Sequence, residues 1–459
     1  MEAQQDMQER LGTAPIGKLL FTLAIPTVMA QLINMMYNIV DRMFIGHIAE
    51  VGHLALTGVG VCLPIIMIVS AFAALVGTGG APRASIAMGR KNIAAAEEII
   101  SNCLSTQIVL SIVITTLLLI GARPLLLAFG ASEMTIDYAT SYLNMYALGT
   151  IFVQITLGMN TFITAQGFAK ISMYTVLIGA ITNIILDPIF IFALNMGVTG
   201  AALATVISQA LSTAWILSFL CGKKTIVHIR KKYLKIKPAV ILPCLGLGAA
   251  AFVMQASESI IGICFNASLL RYGGDIAVGA MTILISVMQL TQMPTMGFGQ
   301  GAQPILSFNY GAGNLARVKK TFWMLLGISM FFAVGIWALI MCVPGCFVQV
   351  FTNDPELIEF TKTALRIYCA AVFIFGIQNA CQMTFVSIGC AKSSIAVAVI
   401  RKFVLLLPLI YIVPLMVSNP TMGVYLAEPI ADIIAVLCTI AIFSFQFKRA
   451  LDKASLYSV

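Results

Sequence analysis

The chain has 459 residues, 60% of them hydrophobic and only 10% charged, with a formal net charge of +9. A soluble domain carries roughly 25% charged residues, so this composition excludes an ordinary water-facing surface. Eleven cysteines scattered along apolar segments form no CxxC pair, which argues against a disulfide framework or a metal centre.

Residues 1–16 are polar, with charges of both signs and no cleavage site behind a short apolar core. The first apolar segment is therefore expected to stay in the mature protein. Runs such as 104–122 and 323–344 contain essentially no charge, and roughly 20 apolar residues in a helix cross about 30 Å of hydrocarbon. Lipid offers backbone groups no partner, so these spans are helices. Charges, Gly/Pro clusters and polar breaks place twelve of them near 17–41, 54–78, 100–122, 138–165, 171–194, 197–221, 238–265, 276–300, 321–344, 361–386, 394–417 and 423–446.

The even-numbered loops and the tail carry the bases. These are Arg83, Arg90, Lys91, Lys170, the run Lys223–Lys237, Arg317, Lys319, Lys320, Lys392, Lys448, Arg449 and Lys453. The odd-numbered loops hold little beyond Arg123 and Arg271. By the positive-inside rule both termini are expected in the cytoplasm.

The chain also repeats itself. At a constant shift of 222, Gly77 meets Gly299, Pro82 meets Pro304, and Ser85, Gly89 and Asn92 meet Ser307, Gly311 and Asn314. Phe129/Phe351, Tyr146/Tyr368, Gly167/Gly389 and Lys170/Lys392 keep the same offset. Chance matches among Ala and Gly would not also preserve Pro, Asn, Tyr and Lys. The expected fold is all-α and integral to the membrane, with twelve transmembrane helices in two parallel six-helix lobes. An even number of helices per lobe puts the pseudo-two-fold axis along the membrane normal. The lobes are 1–222 and 238–459, joined by the basic linker 223–237.

Ionisable groups at membrane depth are costly and usually functional. Asp41 closes the first span and Asp187 stands within the fifth. Asn38 and Asn183 precede them by three and four residues, on the same helix faces. Two carboxylates with amide oxygens suit a hard cation such as Na⁺, or they could share a proton. Helix-end capping is the plain alternative for Asp41. Glu258 lies inside the seventh span opposite Met36 in the repeat, so it belongs to the second half alone. Glu428 and Asp432, near the outer end of the twelfth span, are as compatible with solvation as with function. Arg401 and Lys402 are close enough to the inner end of the eleventh to snorkel. Pro26 invites a kink in the first span. The 24 methionines are mostly packing residues, though some, Met293 among them, could line a cavity. No Walker motif, zincin motif or Ser/His/Asp constellation is present, so no enzyme is expected.

Several segments together resemble the multidrug and toxin extrusion (MATE) family, over nearly the whole chain. They are the paired GxGxxxP segments, NxxDxxFIG at 38–46, NxxxDPxF at 183–190 and GVTGAALAT at 197–205. The resemblance is nearest to the bacterial MepA-like group. It implies a secondary active antiporter that exports organic cations and amphipathic drugs in exchange for Na⁺ or H⁺, through a V-shaped cleft between two lobes. Carried over, the N-lobe ion site falls on Asp41, Asn183, Asp187 and Thr205, which would hold Na⁺ if sodium is the coupling ion. Pro26 matches the bending first helix, and Glu258 the acidic member of helix 7. The tenth span departs from the branch with a C-lobe acid site, since it offers only Gln378 and Gln382. Asn38, Glu258, Met293, Gln378 and Gln382 are then the candidate substrate contacts. Asp41, Asp187 and Glu258, with few buried bases to offset them, favour monovalent organic cations as cargo. A monomer without organic cofactor or nucleic-acid partner is expected. The alternatives are a flippase for lipid-linked oligosaccharide or peptidoglycan precursors, a membrane enzyme, and a receptor or channel.

Overall fold

The structure is a computed structural model that describes residues 2–48 and 52–455. Among these residues the regular structure is entirely helical. A short α1 (Glu2–Thr13) precedes α2 (Ile16–Gly46), α3 (Gly52–Gly89) and α4 (Ile93–Ala128). The first half continues with α5 (Ile136–Leu148), α6 (Thr150–Ala165), α7 (Ala169–Pro188) and α8 (Gly197–Cys221). The second half comprises α9 (Pro238–Gly311), α10 (Leu315–Cys342), α11 (Pro344–Gln349), α12 (Pro355–Tyr368), α13 (Phe375–Ser387), α14 (Ala391–Val399), α15 (Leu407–Met416) and α16 (Pro420–Ser455).

Nine described segments are long and apolar enough to cross a bilayer, and two bent pairs, α5–α6 at 58° and α12–α13 at 42°, supply one span each. The 74-residue α9 is itself two spans, because Gly274 breaks it with φ 64° and ψ −160°. That conformation is open to glycine but rare for other residues. The described residues therefore form the expected twelve spans, and two of their irregularities follow the repeat. Gly274 lies 222 residues after Gly52, where α3 starts. Gly149, at the bend of α5–α6, lies 222 before Ala371, at the bend of α12–α13. The helices also begin on matched residues. Asn92 Oδ1 accepts from the Ala95 amide at 3.0 Å, capping α4, and Asn314 stands at the N-terminal cap position of α10 at the same shift.

The apolar core has three parts. One joins both halves at the end carrying the described termini. It includes Leu20 and Leu23 of α2, Val76 and Ala84 of α3, Ile305 and Leu306 of α9, and Leu325 of α10. The other two lie at the far end and do not mix. Ile45, Val59, Tyr142 and Val198 belong to one lobe, and Phe265, Leu284, Ile410 and Tyr425 to the other. Two lobes fused at one end with separate cores at the other make a cleft that opens toward the far end.

Close helix approach closes the fused end. Gly89 and Gly311 are 222 apart, and their contacts are reciprocal. A Cβ on Gly89 would overlap the Phe308 carbonyl of α9, and one on Gly311 would overlap the Ile86 carbonyl of α3. Small residues at such crossings let backbones touch, which is how helices associate where lipid supplies no hydrophobic drive. Across the same seam the Thr27 hydroxyl donates to the Gly297 carbonyl at 2.7 Å, and Gln31 Nε2 donates to Gln300 Oε1 at 3.3 Å. Such bonds are worth only about 1 kcal/mol each within a membrane, so packing dominates. Phe72 and Phe252 meet across the cleft with centroids 4.9 Å apart. The buried thiols of Cys103 and Cys244 face each other from the two lobes.

The basic linker is held against the first lobe. Gln166 Oε1 accepts from Thr225 Oγ1 and from the amides of Ile226 and Val227 at 2.8–2.9 Å. Glu97 pairs with Arg230 at 3.0 Å and Glu98 with Lys237 at 2.6 Å. The hydrogen bond that the Lys237 ammonium donates to the Glu98 carboxylate holds its pKa above the ordinary value.

Replacing Gly89 or Gly311 by Leu should force α3 and α9 apart at the fused end. Maleimide labelling of Cys103 and Cys244, as the only retained thiols, should then rise about tenfold or more, whereas Gly89→Ala should give a smaller rise. Unchanged labelling in folded protein would contradict the seam.

Candidate functional site

The structure brings Asp41, Asn183, Asp187 and Thr205 together in the first lobe. α2 carries Asp41 past the seam, about 37 Å along its axis from Ile16 at roughly 1.5 Å per residue. α7 carries Asn183 and Asp187 one turn apart, and Asn183 Nδ2 donates to Asp187 Oδ1 at 3.2 Å. The same amide lies 3.4 Å from Thr205 Oγ1 on α8, and that hydroxyl donates to the Ala201 carbonyl at 3.1 Å. The carboxyl groups of Asp41 and Asp187 are within hydrogen-bonding reach of each other, with Tyr37 close by. Asp187 and Asn183 are buried. The backbone helps to shape the site, because α7 ends at Pro188 and passes into a π-helical turn over Ile189–Ala193, a distortion often found at functional positions.

Three oxygens in this site are buried with no hydrogen-bond partner: Asp41 Oδ1, Asp187 Oδ2 and Asn183 Oδ1. Buried acceptors without donors are costly. Arg42, the next residue along α2, is exposed, and the ion pairs among the described residues lie elsewhere. Two facing carboxyl groups of this kind suit a shared proton or a small hard cation. A mostly apolar cavity adjoins them, with Asn34, Tyr37, Asn183, Thr205, Gln209 and Ser212 among its lining residues. Asn38 is turned back on its own helix, where its amide donates to the Asn34 carbonyl at 2.6 Å.

The second lobe corrects the expectation that Arg401 and Lys402 snorkel. Both are buried, at 7% and 4% exposure, on a π-helical turn over Ile400–Leu406. Arg401 Nε donates to Asp432 Oδ1 at 2.7 Å and Nη2 to Glu428 Oε1 at 3.1 Å, with the guanidinium 4.7 Å over the Phe375 ring. Lys402 Nζ pairs with Glu258 Oε1 at 2.7 Å. Glu428 and Asp432 are likewise buried rather than solvated. The expectation of few buried bases therefore fails in this lobe. The repeat makes the asymmetry explicit. At the 222 shift, the positions of Glu258, Arg401, Lys402, Glu428 and Asp432 are Met36, Gly179, Ala180, Val206 and Ala210 in the first lobe.

Gln378 and Gln382 tie helices together inside the second lobe. Gln378 Oε1 accepts from Thr439 Oγ1 at 2.6 Å, and Gln382 Nε2 donates to Ser394 Oγ at 2.8 Å. Both are buried, which removes them from the cleft surface. Met293 is half-buried, and Pro26 is buried in the seam within an α2 that runs unbroken through it.

Known proteins resemble the chain over almost its full length. The MatE family model matches residues 26–189 and 250–412, one segment in each half. A multidrug export protein MepA of Staphylococcus haemolyticus is 26% identical over 447 residues, covering 97% of both chains. A solved MATE multidrug transporter, DinF-BH, is 34% identical, covers 96% of this chain and 98% of its own, and superimposes with a TM-score of 0.88. A MATE crystal structure in the bent conformation gives a TM-score of 0.91 at 21% identity, covering 99% of both chains. With its twelve spans in two repeated halves and both halves matched in order, the chain belongs to the MatE family of multidrug efflux transporters and is not an enzyme.

Proposed function

We propose that the protein is a secondary antiporter that exports monovalent organic cations and amphipathic drugs in exchange for Na⁺ or H⁺. The observation that carries this reading is the carboxyl pair of Asp41 and Asp187, with buried oxygens that no donor satisfies. A proton or Na⁺ arriving there supplies the missing positive charge. Asp41, Asp187, Asn183 and Thr205 would hold the sodium ion, because the orphaned oxygens are hard ligands. Both termini and the basic linker face the cytoplasm in this reading, so the cleft opens outward. The protein works as a monomer in the bacterial inner membrane.

Transport follows if ion and drug favour opposite-facing states. A ligand that binds both states equally moves nothing, and inverting a 1:99 population takes about 5.5 kcal/mol of differential binding. Neutralising the acid pair changes the electrostatics of the α2–α7 contact, while the drug draws on the cleft walls and the half-exposed Glu258. The flippase alternative needs free bases for a diphosphate. Arg401 and Lys402 are engaged by three carboxylates, which favours the cation reading.

In proteoliposomes an imposed Na⁺ or pH gradient should drive uptake or release of a cationic dye, and dissipating the gradient should stop it without any change in ATP. Asp187→Asn, nearly equal in volume, should cut gradient-driven flux by about tenfold or more while the protein still elutes as a folded monomer. Wild-type flux in that variant would return Asp187 to a structural role. Reporter fusions at residue 459 and near Gly130 should report opposite sides of the membrane, with the C-terminus inside.

A further inference from the structure

The ion network of the second lobe holds three carboxylates against two bases. With every group ionised it is one positive charge short. Arg401 is committed to Glu428 and Asp432 through two hydrogen bonds and lies over Phe375. Lys402 is buried and held by one ion pair, to Glu258. Glu258 is the exposed member, with its side chain 55% accessible, while the Lys402 side chain is 5% accessible. It stands on the first limb of α9, six residues beyond Phe252, which touches Phe72 of the other lobe. Lys402 also has a second acid at hand, since Glu428 lies near it as well as near Arg401.

We propose that Lys402 is a resident counter-cation that the positive group of a substrate displaces from Glu258. An arriving monovalent cation binds the accessible carboxylate, and the Lys402 ammonium swings on its flexible stem toward Glu428. Three anions then face three cations, so the network is neutral only when a single positive charge has been added. Lys402 thereby sets the threshold for binding: a ligand must offer Glu258 a better partner than a lysine already in place. The proposal rests on the cation-export reading given above, which assigns Glu258 to substrate.

A purely structural ion pair predicts the opposite sign for the decisive variant. Removing a structural lysine weakens or leaves unchanged the binding of a cation, whereas removing a competitor strengthens it. The test is equilibrium binding of the cationic dye ethidium to the full chain in nanodiscs, beside a neutral dye of similar size. Lys402→Met should tighten ethidium binding by about tenfold, the scale on which close charge pairs act, and leave the neutral dye within about twofold. Lys402→Arg, which keeps a base, should stay near wild type. Glu258→Gln should weaken cation binding, and Lys402→Met added to it should give no further tightening, since the effect passes through Glu258. Lys402→Gln serves if the Met variant does not elute as a folded monomer. Weaker or unchanged cation binding in Lys402→Met, or equal tightening for the neutral dye, would overturn the proposal while leaving cation export intact. Wild-type protein that binds no cationic dye would instead overturn the export reading, and this inference with it.

Discussion

Two carboxyl groups meet inside the first lobe where, among the described residues, no base forms an ion pair with either. Asp41 reaches the site at the far end of α2, and Asp187 from the last turn of α7. Desolvated like charges cannot both stay ionised at such range without a counter-charge. This arrangement carries an unmet electrostatic demand, which in the antiport reading an external cation or proton meets. The surrounding oxygens of Asn183 and Thr205 add ligands of matching hardness.

The demand can act at a distance because one helix serves both the site and the seam. The first turns of α2 supply Leu19, Leu20, Leu23 and Ala24 to the fused core, and Thr27 and Gln31 bond to the opposite lobe. Asp41 lies on the same rod. Pro26 stands within the seam, where its ring removes one backbone hydrogen bond beside the buried contact with Gly297. A change in charge at Asp41 can therefore bias how α2 packs near the seam. The opposing lobe is built differently at the equivalent positions. There Arg401 and Lys402 satisfy most of the acids internally, so the two halves share a fold and divide the chemistry.

Much of this was legible in the sequence because it is local or periodic. Apolar run lengths gave the spans, and the offset of 222 gave the duplication; the glycine break at Gly274, at the shifted position of Gly52, emerges only in the fold. The N-lobe site was readable because Asn183 and Asp187 lie one helical turn apart on an apolar helix, and Thr205 sits in a segment the family resemblance picks out. The second-lobe network was not readable. Arg401 lies near a span end, where snorkelling is a sound inference from one helix, and its partners are 27 and 31 residues away on α16. Glu258 is more distant still. No periodicity announces that three helices will bring these charges together. Gln378 and Gln382 are ambiguous in the sequence for a similar reason: a polar residue in mid-span suits a cavity wall or an interhelical tie equally well, and the ties to Thr439 and Ser394 become visible only in the fold. The clamp of Glu97 and Glu98 on the linker shows that a basic loop can be partly neutralised by its own lobe.

In the antiport reading, the charge state of the acid pair governs how the two lobes open. Spin labels at Met134 and Glu356, exposed positions 222 apart at the far ends of the two lobes, would report the opening directly in a background without native cysteines. Titrating the coupling ion, as Na⁺ or as pH, should move the interlabel distance one way, and a cationic dye should move it the other. Asp187→Asn should abolish the response to the ion and keep the response to the dye. A distance that ignores both ligands, or an ion response that survives in Asp187→Asn, would contradict the account.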